Sequence, residues 1–588
     1  MSHTDADAID PTRRALWLGA AVGAALSALG CSTASKPQIP GACGKLPQPF
    51  LAGAEVTQAW AGQARWFDAH THFFNAADVP VRAFIEKSVA HGIESKALRE
   101  FVIALAPIAE ALAHLAPTPA AEMDRLCPRD GVTARATASG PASLDDEIDA
   151  NNDAIADRLY QEILRSGSAI PSMVEGAARK SAQARSLGRS FGRSQTAPAF
   201  DFDFVRRAVR DGATEREDAT GQVRKQSADT LAVDDQDLAS MQNAFQFVGF
   251  MLSYRHYNLR TFIRRQAQHS PSVPLSGCFA AMVDFNHWLG RPGKASNLRD
   301  QVLLHEQLCL LSRGFMLPLV PFNPWVDIAE ADAAIDTVRW AVEEHGCVGV
   351  KVYPPMGFYP YGNEGHPLAG TNEAFPDLKA LDSVLARLYA LCDKLGVPVM
   401  AHAAESNGRD KAHDALAGPA GWGAVAARLT SLAALHVDAG HFGGALAHGD
   451  GDWNAGFIAL MGQAGPLKVY GDLGYWDELL TSELARQRLR HALQQPLRSG
   501  GTVADRTLYG SDWLMLSRVP GWESYAERVA ALLREADPGG TVAERVLGAN
   551  VLSCYGLSAA SSRGSYERLR AHFLASGLQA LPGWMRGP

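Results

Sequence analysis

Eight short apolar segments, separated by stretches of helical texture, constrain this chain more than any other feature in it. The first runs over Arg65–His70. The others are Cys278–Asp284, Phe315–Pro321, Cys347–Tyr353, Val397–His402, Leu435–His441, Leu467–Asp472 and Thr507–Asp512. Each is short enough for a strand buried on both faces. Ala329–Glu344, Leu378–Leu395 and Trp522–Glu535 carry apolar residues at three-to-four spacing and read as helices between them. Strands that alternate with helices in this way predict a parallel sheet, and eight of them predict a (β/α)8 TIM barrel.

The barrel is interrupted. Between the first segment and the second lie about two hundred residues with no further strand signal. The barrel is expected over 61–74 and 241–560, with a large, mainly helical insertion over 75–240. Within the insertion, Val81–Lys87, Ala97–Ala106 and Asp145–Leu164 have helical periodicity, and Pro107 predicts a stop to the second. From about 178 to 235 the chain turns polar, with alternating Arg-rich and Asp/Glu-rich patches, and reads as a flexible stretch. An insertion after a barrel strand emerges at the catalytic face, so this one is expected to act as a cap. Gln242–Arg265 is Arg-rich and amphipathic, and residues 561–588 read as a C-terminal helix and tail.

The N-terminus is a targeting segment. Arg13 and Arg14 precede an apolar run from Leu18 to Leu29, too short to span a bilayer comfortably and suited to a signal peptide. The pattern is similar to a twin-arginine export signal. Cys31 after Ala28-Leu29-Gly30 is similar to a lipoprotein box, so residues 1–31 predict export to the periplasm, either as a cleaved soluble protein or as a lipoprotein anchored to the membrane through Cys31. Residues 32–60 form a Pro/Ala/Gly-rich tether. Of eight cysteines none forms a Cys-x-x-Cys pair, which argues against a cysteine zinc site. A Cys43–Cys127 disulfide suits an oxidising compartment. Cys278, Cys309, Cys347, Cys392 and Cys554 sit in apolar surroundings and read as core thiols. The net charge of −8 on 588 residues, with no basic stripe, excludes a nucleic-acid partner from the reading.

Barrel enzymes carry their chemistry at the C-terminal ends of the strands. Here His70 and His72 end the first strand. Residues i and i+2 of a strand share a face, so their imidazoles project together and make half of a zinc-type site. Lys351 lies on strand four, His402 ends strand five, His441 strand six, and Asp512 strand eight. Gly440, Gly443 and Gly444 around His441 let backbone approach closely. His436 falls on the opposite face and reads as packing. Asp512 could instead be a helix N-cap. Asp68 shares the His70 face and could support it. Tyr353, Trp476 and Trp513 are either pocket-lining or rim aromatics.

Six stretches in order carry a family resemblance: Asp68-Ala69-His70-Thr71-His72-Phe73-Phe74-Asn75, Gly349-Val350-Lys351-Val352-Tyr353-Pro354-Pro355, Met400-Ala401-His402-Ala403, Gly440-His441-Phe442-Gly443-Gly444, Tyr509-Gly510-Ser511-Asp512-Trp513 and Gly548-Ala549-Asn550. The chain resembles the amidohydrolase superfamily, and within it the amidohydrolase-related (amidohydrolase-2) branch, over about 65–75 and 275–557. The resemblance implies a divalent metal, most simply Zn2+, held by His70, His72, His402 and Asp512. Asp512 would also be the general base. His441 would polarise the substrate, orient the nucleophile or ligate a second ion. Lys351 would either be carboxylated and bridge two metals, or hold a substrate anion. The implied activity is hydrolysis, in which a metal-activated water attacks an amide, ester or lactone carbonyl of a small molecule. The alternative on the same site is a metal-dependent decarboxylase or hydratase of a small carboxylic acid. A second alternative is a non-catalytic binding protein, which the loss of any one ligand would have favoured.

Overall fold

The computed structural model describes residues 66–90, 93–127, 143–187, 200–213, 233–287, 296–364, 378–406, 408, 410–446, 451–578 and 581–585. The export signal, the tether, Cys31 and Cys43 lie outside them. Cys127 takes part in a disulfide, while Cys278, Cys309, Cys347, Cys392 and Cys554 are buried free thiols.

Eight parallel strands form one sheet in the order of the chain. They are β1 (Trp66–Thr71), β2 (Leu275–Ala281), β3 (Met316–Pro321), β4 (Gly349–Val352), β5 (Val399–His402), β6 (Leu435–Gly440), β7 (Leu467–Asp472) and β8 (Thr507–Leu508). Helices separate them, among them Leu298–Leu311, Ala333–Glu344, Leu378–Leu395, Trp453–Met461, Glu483–Gln494 and Tyr525–Ala536. The chain beyond β8 closes the barrel onto β1. Ala69 N–H donates to Tyr509 O at 2.8 Å, Asp512 N–H donates to His70 O at 2.7 Å, and His72 N–H donates to Trp513 O. The fold is therefore the expected (β/α)8 barrel. Phe67, Ala69, Phe279, Ala281, Leu317, Leu319, Met400 and Leu508 belong to one apolar cluster. The C-terminal helix Ser565–Ala575 and the turn Gly583–Met585 join that cluster, with the Trp584 ring edge-on to Phe67 at 5.5 Å.

The last strand is shorter than expected. Regular pairing ends at Leu508 instead of running to Asp512. Asp512 takes φ +57°, a left-handed conformation that no strand residue adopts. At Gly510 the chain passes so close to β1 that a Cβ would lie 2.8 Å from the Cβ of His70.

The insertion is helical, with α1 (Lys96–Leu112), α2 (Pro119–Leu126), α3 (Leu144–Ser166), α4 (Ile170–Leu187), α5 (Phe202–Asp211) and α6 (Val233–Leu252), followed by α7 (Arg255–His269). Two expectations are corrected here. Pro107 does not stop α1. Ile103, whose carbonyl loses its donor, and Pro107 both lie on the exposed face, where water can satisfy the carbonyl, while Leu105, Ile108, Ala109 and Leu112 continue the buried face. The polar stretch over 178–235 is also not irregular throughout. It contains the end of α4 and all of α5, which buries Phe204, Val205, Ala208 and Val209. On the polar face of α5, Arg206 and Arg210 both bind the Asp153 carboxylate of α3.

The insertion is pinned to the end of β1 by a buried polar knot. Arg255 is fully buried and donates to Asp78 Oδ1 at 2.6 Å, to Glu122 Oε2 at 3.0 Å and to Asn75 Oδ1 at 2.9 Å. His256 Nδ1 meets Glu122 Oε1 at 2.6 Å, and Asn75 Nδ2 donates to Pro117 O and Ser253 O. Every charge in the knot has a charged partner, as burial requires. An apolar joint lies beside it. Trp513 is fully buried, within 5.3–5.4 Å of Phe73, Phe250 and Phe262. It is thus a core residue between insertion and barrel, not a pocket or rim aromatic.

Burial alone would raise the pKa of Glu122, but the hydrogen bond and charge of His256 and the charge of Arg255 overcome it and hold the carboxyl at about 2. A depressed carboxyl stabilises the fold fully above its unfolded value near 4.5, and that stabilisation is lost as pH falls towards 2. At about 1.4 kcal/mol per unit the contribution is of order 3 kcal/mol. Glu122→Gln is expected to be less stable than the wild type in urea at pH 7, with the gap shrinking between pH 4.5 and 2. A gap independent of pH would contradict this role.

Candidate metal centre

Three side chains converge at the C-terminal mouth of the barrel. His70 Nε2 lies 3.3 Å from His72 Nε2 and 3.5 Å from Asp512 Oδ1, and His72 Nε2 lies 3.3 Å from the same oxygen. All three residues are buried. Hydrogen bonds elsewhere on each ring fix which nitrogen carries the proton. His70 Nδ1 faces Asp472 Oδ2 at 2.9 Å, and His72 Nδ1 faces the carbonyl of Ala281 at 2.7 Å. Carboxylates and carbonyls only accept, so both Nδ1 atoms are protonated and both Nε2 atoms present lone pairs. Two lone pairs and a carboxylate oxygen therefore point at one another. A cation is the natural occupant of such a corner. Tetrahedral zinc with bonds of ~2.0–2.1 Å would hold its ligands ~3.3–3.4 Å apart, close to the spacings found. Among the described residues this is the one group of three such side chains with metal-ligand spacing.

The histidine tautomers depend on a residue the sequence reading passed over. Asp472, the last residue of β7, accepts from His70 Nδ1 through Oδ2. Through Oδ1 it accepts the backbone N–H groups of His441 at 3.0 Å and Gly474 at 2.7 Å. Burial alone would raise its pKa, but His70 and His441 drive it well below the usual carboxylate range. A side chain at Gly474 would place its Cβ 2.7 Å from Asp472 Oδ1 and 2.8 Å from His70 Nδ1, so only glycine lets the loop after β7 cross this pair. Its signal was available: an aspartate ends strand seven just as histidines end strands one and five. Asp68 lies in the same face and accepts from His70 N–H at 3.1 Å and Ser511 N–H at 2.9 Å, with burial raising its pKa to about 7.

His402 and His441 form a second group beside the first. His441 Nδ1 faces Gly474 O at 2.8 Å and is protonated, so its Nε2 accepts from His402 Nδ1 at 3.0 Å. His402 Nε2 in turn accepts from the Ser406 hydroxyl at 3.0 Å. Both nitrogens of His402 are engaged here, and it would have to give up one of these bonds to join His70, His72 and Asp512. His441 is held in place by its own backbone, with φ +68° and a carbonyl that accepts from Trp476 Nε1 at 2.6 Å. Sparsely populated backbone of this kind is stored at functional sites.

Lys351 is buried, with Nζ 3.1 Å from His70 Nε2. Burial lowers its pKa, opposed by Asp512, Asp472 and Asp438. It also lines a pocket of about 260 Å³, part of it open to solvent, at the ends of β2, β3 and β4. Among the described residues no helix of the insertion contributes to that lining. Phe84, from the segment before α1, packs behind the pocket residue Phe285 at 5.8 Å. His436 faces away from the site and bonds Cys554 O and Arg563.

Partners that orient a ligating histidine are typically worth ten- to a hundredfold in metal affinity. Asp472→Asn is expected to keep the fold and to lose about 10–100-fold in zinc affinity, measured by competition with a chromogenic chelator. An unchanged affinity would show that the Asp472–His70 contact does not tune the site.

No curated protein matches the chain. Among solved structures it is similar to an uncharacterized TIM-barrel protein from Bordetella bronchiseptica, at 17% identity over 50% of this chain and 90% of that one, with a TM-score of 0.32. It is also similar to a 2,6-dihydroxybenzoate decarboxylase complexed with 2,6-dihydroxybenzoate, at 14% identity over 50% of this chain and 87% of that one, with a TM-score of 0.30. Residues 318–557 match the family model described as Amidohydrolase. By that match the barrel from β3 onward is similar to the amidohydrolase family.

Proposed function

We propose that this chain is a metal-dependent hydrolase in which water attacks an amide, ester or lactone carbonyl of a small molecule. The observation that carries the reading is the convergence of His70 Nε2, His72 Nε2 and Asp512 Oδ1, all bearing lone pairs, at tetrahedral spacing. Two imidazoles and a carboxylate are a ligand set that suits Zn2+. Such an ion, when bound, lowers the pKa of water towards ~7 and polarises a carbonyl.

The protein's own groups supply the rest. Burial would raise the Asp512 pKa, but the facing His70 and His72 hold it at about 2, so Asp512 is ionised at neutral pH. It accepts the proton of the attacking water and passes it to the leaving group. His441 spends its one N–H on Gly474. Its Nε2 accepts from His402 Nδ1, so His441 has no donor left to polarise the substrate carbonyl and acts by holding His402 in place. Lys351 Nζ is a donor at the reacting end of the pocket, placed to hold a carbonyl oxygen as negative charge develops on it. This use of Lys351 needs one metal and no carboxylation. The disulfide at Cys127 supports export to an oxidising compartment, the periplasm, with or without a lipid anchor at Cys31.

Loss of a general base is typically worth 10²–10⁴-fold in rate. Asp512→Asn, loaded with zinc, is expected to lose at least about a hundredfold in turnover on a panel of chromogenic esters, amides and lactones, with little change in urea midpoint. Near-normal turnover would remove Asp512 as the base. Release of carbon dioxide from carboxylic acids, with no hydrolysis across the panel, would replace the hydrolase reading with a decarboxylase.

A further inference from the structure

Asp472 rests on a second buried carboxyl that takes no part in the proposed reaction. Asp438 sits on β6, where it pairs with Tyr470 of β7. Tyr470 and Asp472 are two residues apart and share a face of β7, so Asp438 lies one step deeper in the barrel than Asp472. Both carboxyls are fully buried. Asp438 Oδ2 accepts from the Tyr555 hydroxyl at 3.0 Å. Tyr555 ends the helix Asn550–Tyr555 after β8 and is itself fully buried, with its ring 4.1 Å from that of Phe279 on β2. No N–H or O–H of a described residue reaches Asp438 Oδ1. The remaining hydrogen-bonding neighbour of this side chain is the carboxyl of Asp472.

Two carboxylates cannot hydrogen-bond to each other, because each only accepts. One of the pair must hold a proton, and the donors around them decide which. Asp472 already accepts from His70 Nδ1 and from the backbone N–H groups of His441 and Gly474. Asp438 accepts from one neutral hydroxyl. Asp472 is therefore the anion and Asp438 the acid. Tyr555 also selects the oxygen. Oδ2 accepts and so acts as the carbonyl, which leaves the proton on Oδ1. Burial and the Asp472 charge raise the Asp438 pKa well above the usual carboxylate range, against the Tyr555 hydrogen bond and the Lys351 charge. Cys554 and, two residues along the same strand, His436 are held neutral by burial.

We propose that Asp438 is a neutral carboxylic acid that donates a hydrogen bond to Asp472, and that it is a positioning residue for the metal centre. The contacts run from Tyr555 through Asp438 and Asp472 to His70. This rests on the reading of His70, His72 and Asp512 as that centre. A carboxylate offers about four acceptor places, and the Asp438 proton fills the last one on Asp472. Held by all of these donors, Asp472 keeps one orientation and is too weak a base to take the His70 proton. His70 Nε2 thus stays aimed at His72 and Asp512. An ionised Asp438 would put two like charges in contact in a buried site, which is costly.

Infrared difference spectra test the proton. Asp68 and Asp477, whose pKa values burial raises to about 7, are ionised at about pH 9. At that pH the wild type is expected to keep a carboxylic-acid C=O stretch that shifts in deuterium oxide and is absent from Asp438→Asn. No such band, or a band that survives the substitution, would overturn the proposal. Zinc affinity, from competition with a chromogenic chelator, tests the positioning. Asparagine keeps both hydrogen bonds, since its amide N–H donates and its carbonyl accepts, so Asp438→Asn should bind zinc within about threefold of the wild type. Asp438→Leu makes neither bond and should bind at least about tenfold more weakly. Equal affinities in all three proteins would overturn the positioning role. The band in the wild type and in Asp438→Asn decides alone if the leucine variant does not fold. The band without zinc uptake by the wild type would remove the metal centre and leave the acid–carboxylate pair standing. Zinc uptake without the band would do the reverse.

Discussion

The contact between His70 Nδ1 and Asp472 Oδ2, at 2.9 Å, is the one on which the rest of the site depends. It places the proton of His70 on Nδ1 and leaves Nε2 bare towards His72 and Asp512. The same carboxylate accepts the backbone N–H of His441 and so fixes where the second histidine pair begins. One buried aspartate therefore sets the geometry of both halves. Around it the chain has removed bulk. A Cβ at Gly474 or Gly510 would collide with His70 or with Asp472, so both loops that cross the pair must be glycine there.

The barrel and its insertion serve this corner in different ways. The strands deliver His70, Lys351, His402 and Asp472 from rigid pleated backbone, and the turns after β6 and β8 add His441 and Asp512 in left-handed conformations. Among the described residues the insertion sends no helix into the pocket. Its knot of Arg255, Asp78, Glu122 and Asn75 anchors it to the residues just after His72, and Trp513, next to Asp512, is buried against its aromatic side chains. The insertion thus buttresses both sides of the ligand set, the end of β1 and the turn beyond β8.

Much of the fold was legible in the sequence because buried parallel strands are continuous apolar runs, and the eight of them stand out between amphipathic helices. His70, His72 and Asp512 were legible because polar residues at the ends of such runs have few structural reasons to be there. Asp472 ends a strand in the same way, but its meaning comes from a contact with a residue 402 positions away. Short-range pattern carries no such information. Pro107 and α5 failed for a related reason. Local composition argued for a stop and for a loop, and tertiary burial of one helix face outweighed it in both places. The engagement of His402 with His441 and Ser406 depends on ring orientation, which spacing in sequence cannot specify.

The most direct measurement is a crystal structure of the zinc-treated protein with diffraction recorded on both sides of the zinc absorption edge. The expected result is one anomalous peak within bonding distance, ~2.0–2.2 Å, of His70 Nε2, His72 Nε2 and Asp512 Oδ1. No peak there, or an ion held by other residues while these three remain apart from it, would contradict the assignment of this corner as a metal centre.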